Sequence, residues 1–183
     1  MPPTTAGKPV SASASASPSG SASTTPTASA TISGAAGSSS PAGGPAAIPA
    51  AARAHTPEGA EAFTRYWVTT VNSSWRSANG AAIRALSAGD CAGCTSLAKD
   101  ADRFMIEHRR VESDPLSLIS IKPLGTDELD RTRILLVTEQ LPVKIMNADG
   151  STYQTLPRTI NKSDLALQYT GSGWRVAEVG SPG

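Results

Sequence analysis

The eight aromatic residues of this 183-residue chain are Phe63, Tyr66, Trp67, Trp75, Phe104, Tyr153, Tyr169 and Trp174, and none falls in the first third of it. That asymmetry bounds what can fold. Of residues 1–50, 45 are Ser, Thr, Pro, Gly or Ala, the exceptions being Met1, Lys8, Val10, Ile32 and Ile48. Such a segment cannot bury enough apolar surface to offset a chain entropy of about 1–2 kcal/mol per residue. Residues 1–52 are therefore expected to be a disordered linker, and residues 53–183 the domain. Treated as a coil, the linker spans on the order of 40 Å root-mean-square. Its Ser/Thr/Pro composition is also that of O-glycosylated stalks.

Address and partners follow from the same bookkeeping. Residues 53–183 hold 15 Lys or Arg and 15 Asp or Glu, so they carry no net charge. This removes the basic footprint of a nucleic-acid binder. No stretch nears the roughly 20 apolar residues of a membrane span. Met1-Pro2-Pro3-Thr4 shows no basic n-region, apolar h-region or cleavage site. A long Ser/Ala/Pro tether makes sense outside a membrane, so an export signal upstream of Met1 is expected.

Beyond the linker the apolar period is first helical, then two. Thr56 can cap a helix whose first residues are Pro57 and Glu58. Ala60, Phe63, Trp67, Val71 and Trp75 follow as a buried stripe, widened by Tyr66. Asn79-Gly80 signals the stop. A short second helix is expected over 81–88, with Ile83 and Leu86 inward, and a third over 94–111, with Leu97, Ala101, Phe104, Met105 and His108 on one side. Strands are then expected over 116–122 and 131–146. The second should set Leu135, Val137, Leu141, Val143 and Ile145 on one face, with Pro142 marking an edge or bulge. Asp149-Gly150 is a hairpin turn. Strands over 152–159, through Leu165, Leu167 and Tyr169, and over 174–179 complete a meander. The expected fold class is α+β: three N-terminal helices packed on one curved antiparallel sheet.

Helices followed by long strands ending in Gly173-Trp174-Arg175-Val176 resemble the cone-shaped nuclear-transport-factor-like fold, shared with ketosteroid isomerase. Within that frame Gly59-Ala60, Phe63, Tyr66-Trp67, Leu86-Ser87 and Cys91-Ala92-Gly93-Cys94 are similar to an actinobacterial family catalogued as domain of unknown function 6318. The resemblance implies an exported lipoprotein, held by an acylated cysteine behind a Ser/Thr/Pro/Ala-rich stretch. This chain departs in one respect, since its only cysteines are 91 and 94; the lipid anchor is missing from it. The family implies location and fold, but no reaction.

Candidate chemistry is sparse. Cys91 and Cys94 could form a structural disulfide, a redox pair or half a metal site. Redox use wants a strand feeding the motif, and none is expected earlier in the domain. Zinc wants four ligands, and only His55 and His108 remain. An exported setting favours the disulfide, worth about 2 kcal/mol for so short a loop. No metal and no cofactor is expected. Tyr66, Trp67 and Trp75 could line a ligand pocket, although such a stripe is commonly core. His108 is a candidate base without an evident partner. Glu139, sharing the parity of Leu135 and Val137, should face the helices, where it sits at a wetted mouth, pairs with a cation or titrates high. The run 127–133 reads as a solvated loop.

Three functions follow. The first is a non-catalytic cell-envelope binding or interaction module on a flexible tether, meeting an envelope component, a small apolar ligand or a protein. The second is a small cone-fold enzyme doing proton-transfer chemistry on an apolar substrate, which needs a base and an oxyanion donor in one pocket. The third is a structural spacer. Whether Glu139 or another ionisable group lies in a cavity beside Tyr or Trp separates the first two.

Overall fold

A computed structural model describes residues 48–182. The greater part of the expected linker, residues 1–47, lies outside the described residues. Helix α1 spans Pro57–Arg76, α2 Ala81–Ala85 and α3 Ala92–Ile106. Strands follow as β1 Arg110–Val111, β2 Leu116–Thr126, β3 Thr132–Gln140, β4 Val143–Met146, β5 Thr152–Leu156, β6 Thr159–Thr170 and β7 Gly173–Gly180. The composition is α+β, the sheets are antiparallel, and the helices precede all the strands.

The expectation of three helices on one curved, cone-like sheet is corrected. There are two sheets, a three-stranded β1-β4-β5 and a four-stranded β2-β3-β6-β7. The helical layer is slighter than expected, because α2 has only five residues. The two-sheet division originates at Leu141-Pro142. Proline cannot donate to a ladder, and the strand expected over 131–146 breaks there into β3 and β4, which join different sheets. Val143 and Ile145 are buried as expected, but in β3 the buried residues are Ile134, Leu136 and Thr138. The parity changes across the break. Carrying the parity of Val143 back through Pro142 put Leu135, Val137 and Glu139 on the wrong face, since a one-residue slip reverses every side chain of a strand.

Helix α1 starts as its sequence dictates. Thr56 Oγ1 accepts from Gly59 N at 3.1 Å, with Pro57 in the first turn and Glu58 at the positive end of the dipole. It ends in a Schellman turn: Asn79 N donates to Ser74 O at 2.9 Å, Ala78 N donates to Trp75 O at 3.3 Å, and Ala78 itself has φ +53°. Helix α3 ends the same way at Ile106, with His108 at φ +52° and Arg109 N on Phe104 O at 2.7 Å. His108 and Met105, expected on the inner side of α3, are both exposed.

The helices are tied to both edges of the four-stranded sheet. At the β2 edge, Asn72 donates from Nδ2 to Leu116 O at 2.8 Å and accepts from Leu116 N on Oδ1 at 3.0 Å. Asn72 is buried, so these bonds satisfy an amide that disfavours a helix interior. At the β7 edge, Ala88 N donates to Val176 O at 2.8 Å and Val176 N donates to Leu86 O at 2.9 Å. The segment before α1 is part of the domain. Ile48 and Ala52 are buried, on the linker side of the boundary expected at residue 52. Trp174 Nε1 donates to Ala54 O at 2.8 Å, Tyr169 Oη donates to Arg53 O at 3.1 Å, and the His55 ring stacks on Tyr169 at 4.0 Å.

The run expected as a solvated loop entering a strand is a turn with Glu128, Leu129 and Asp130 exposed, and its ends, Asp127, Arg131 and Arg133, join an ion network. Arg131 meets Asp127 at 2.8 Å and Glu178 at 3.4 Å; Arg133 grips Asp164 through two nitrogens. Hydrogen bonds from the Arg131 guanidinium, aided by the Arg131 and Leu129 N–H groups, pull the Asp127 carboxyl from 3.8 down to about 2. Its folded value is depressed, so its contribution to stability is fully present above the unfolded pKa and is lost as pH falls through 3.8 toward 2. Asp127→Asn should therefore cost stability at neutral pH and cost progressively less below about pH 4, measured by urea denaturation at stepped pH. A wild-type-to-variant difference that is flat across that window would contradict the assignment.

Asn72→Ala should lower stability by about 2–3 kcal/mol, because it leaves the N–H and C=O of Leu116 without partners. Urea denaturation measures it, and a loss under about 0.5 kcal/mol would show the tie to be idle.

Candidate functional site

Toward the end of β3 and the start of β6, polar residues face the helices. Thr138 pairs in register with Asn161, and Leu136 with Ser163. With α1 and α3 held at the sheet's two edges, these short side chains leave a hollow of about 510 Å³ between the layers. Its apolar wall includes Trp67, Val71, Trp75, Leu97, Leu136 and Leu165; Thr138, Gln140, Asn161 and Ser163 supply uncharged hydrogen-bonding groups. A second hollow, of about 400 Å³, lies between α3 and the three-stranded sheet and is lined by Phe104, Ile145, Leu156, Tyr153, Arg103 and Arg109 among others. Trp75, Asp100 and Gln140 belong to both, so the two form one cleft.

Trp75 is the fixed point of this cleft. Its Nε1 donates to Leu97 O at 3.3 Å, and its ring meets Phe104 edge-on at 5.9 Å. Both contacts hold the indole in place, so its remaining surface is presented in one orientation. Of the cleft's ionisable groups, Asp100 pairs with Arg103 at 3.1 Å and Glu107 with Arg109 at 2.6 Å, and Lys162 lines the larger hollow. The Arg109 guanidinium carbon lies 3.3 Å from the centroid of the Tyr153 ring.

Of the four residues singled out for a ligand pocket, the structure brings two together. Trp67 and Trp75 line the cleft. Tyr66 is half-buried against the main core, outside both linings. Glu139 lies on the opposite face of β3, correcting the expectation that it faces the helices. Its register partners are Ser117 and Ile160, and its carboxylate pairs with Arg158. Gln140 stands where Glu139 was expected. Thr138, Gln140, Asn161 and Ser163 were missed; their signal was Pro142, read as a point where strand parity is reset.

Cys91 and Cys94 form a disulfide, each 1% exposed. It closes the first turn of α3, where Cys91 Sγ accepts from Cys94 N at 3.2 Å. Gly93, between them, packs so closely on β7 that a Cβ there would lie 2.4 Å from Val179 O. The CAGC motif is thus the point at which α3 meets the sheet. Its burial fits a structural bond better than an exchanging one. No cluster of three or more His, Cys, Asp or Glu suited to a metal occurs among the described residues. No described helix is long and apolar enough to cross a membrane.

Fold and cleft together define a small α+β domain with a two-part, ligand-sized cleft beside an immobilised tryptophan. By its sequence pattern, matched over residues 36–180, the chain belongs to the family of unknown function DUF6318. No curated protein matches it. Among solved structures it is similar to the intermembrane space region of the chloroplast protein ARC6, at 9% identity and TM-score 0.46, covering 70% of this chain and 99% of that one. It is also similar to a putative calcium/calmodulin dependent protein kinase II association domain from Xanthomonas campestris, at 10% identity and TM-score 0.43, covering 70% and 91%.

Because Glu139 pairs with a cation that is itself exposed, Glu139→Gln should change stability by less than about 1 kcal/mol at neutral pH. Urea denaturation tests this; a loss of several kcal/mol would mean that the carboxylate supports the core.

Proposed function

We propose that the domain is a non-catalytic binding module that takes an apolar ligand in the Trp75 cleft and is carried outside the cell membrane on its Ser/Thr/Ala/Pro/Gly-rich segment. The cleft carries this reading. Its two hollows, about 510 and 400 Å³, are within the size range of small-molecule sites, and their walls mix apolar surface with a few placed polar groups. The enzymatic alternative rested on Glu139 or another ionisable group lying in a cavity beside Trp or Tyr. Glu139 lies on the far face of β3, and the acids that line the cleft are engaged with arginines. The composition of residues 1–52 and the buried disulfide support an exported setting. A lipid anchor upstream, which the family resemblance implies, would make the segment a tether.

The neutral fluorophore N-phenylnaphthylamine should bind the chain with an emission rise and a single stoichiometric site. Ser163→Phe, which places a ring in the larger hollow, should weaken binding by about tenfold or more while the protein stays folded. Absence of binding, or binding untouched by Ser163→Phe, would contradict the proposal.

A further inference from the structure

The two hollows differ in what they can hold. The larger is mainly apolar, with Asp100 and Lys162 at its lining beside uncharged polar groups, and the smaller carries the arginines. Among the described residues only two buried side-chain polar atoms have no hydrogen-bond partner, Ser74 Oγ and Arg109 Nε. Arg109 lines the smaller hollow. Its backbone is fixed by the Schellman turn of α3, through the 2.7 Å bond to Phe104 O, and its guanidinium is laid on the Tyr153 ring. Glu107 takes one end of that guanidinium, accepting from Nη1 at 2.6 Å. Nε points from the side edge, the edge that Arg133 uses to grip Asp164 through Nε and Nη2.

Arg109 Nε is itself covered, so an arriving oxyanion meets the rest of the guanidinium, with a charge-assisted bond. The planar fork suits carboxylate or phosphate oxygens. Stacking on Tyr153 holds the fork without using any N–H. The remaining charges at this end, Asp100 with Arg103, are already paired at 3.1 Å. Past Trp75 the cleft continues into the surface of Val71, Leu97, Leu136 and Leu165.

We propose that the ligand is a single-chain amphiphile, its apolar chain lying along Trp75 in the larger hollow and its oxyanion head, carboxylate or phosphate, against the Arg109 guanidinium. This assignment rests on the cleft being a binding site, as argued above. It adds the chemical class of the ligand and the residue that selects it.

Displacement of N-phenylnaphthylamine from the full chain tests it, with decanoate, decyl phosphate and decanol as competitors sharing one alkyl chain. The anions should displace the fluorophore at about tenfold lower concentration than decanol, and added salt should narrow that gap. Whichever anion competes better tells carboxylate from phosphate. Arg109→Gln should erase the preference and leave decanol unchanged, while Arg109→Lys should keep part of it. Should Arg109→Gln fail to fold, the wild-type comparison of decanoate with decanol decides alone. Equal competition by decanol overturns the head-group assignment and leaves the cleft reading standing. A bound fluorophore that none of the three displaces overturns the amphiphile. A fluorophore that does not bind overturns both.

Discussion

Asn72 reaches from near the C-terminal end of α1 to both backbone polar groups of Leu116, and the placement of the sheet follows from that reach. Leu116 opens β2 and is the register partner of Gln140 at the end of β3. Leu141 N donates to Pro115 O at 2.8 Å, one step further on, so the β2–β3 pairing is secured where it meets the helix. With Gln140 in place, strand periodicity sets Thr138, Leu136 and Ile134 toward the helices and Glu139 away from them. A single side-chain amide thus decides which residues can touch a ligand. The bonds are worth having because the groups are buried, where an unpaired N–H or C=O costs about 1–3 kcal/mol.

The opposite edge is held by different chemistry. The disulfide and Gly93 bring the first turn of α3 onto β7, and the chain between α2 and α3 hydrogen-bonds Val176 on both its N–H and C=O. Held at both edges, the helices span the sheet's centre without filling it, since β3 and β6 present Thr138, Asn161 and Ser163 there. Large apolar residues at those positions would close the hollow by the packing that excludes voids elsewhere in a core. The cleft is thus a consequence of where the ties are and of three short polar side chains. Trp75, bonded to Leu97 and braced by Phe104, stands between its larger, mainly apolar part and the part bearing the arginines.

Local signals in the sequence were legible where local physics decides. The Thr56-Pro57-Glu58 start, the Phe63/Trp67/Val71 stripe, the close-set cysteines and the Asp149-Gly150 turn all stand in the structure. The end of the third helix was obscure because His108 occupies a left-handed position that glycine usually marks. The tie of residues 48–55 to Tyr169 and Trp174 spans more than a hundred residues, a separation at which no periodicity reports. The site was half legible for one reason. Trp67 and Trp75 follow helical spacing, but the strand opposite them depends on parity, and Pro142 resets parity without announcing the direction. Had Ile134 and Leu136 been weighed against Leu135 and Val137, Thr138 and Gln140 would have stood out in place of Glu139.

The placement of β3 against the helices is therefore the claim on which cleft, ligand and function all rest. Proton NOEs from methyl-labelled protein test it most directly. The account predicts cross-peaks from the Leu136 and Thr138 methyls to the indole protons of Trp67 and Trp75, and none from Leu135 or Val137 to either ring. Cross-peaks from Leu135 and Val137 to those indoles, with Leu136 and Thr138 silent, would contradict it.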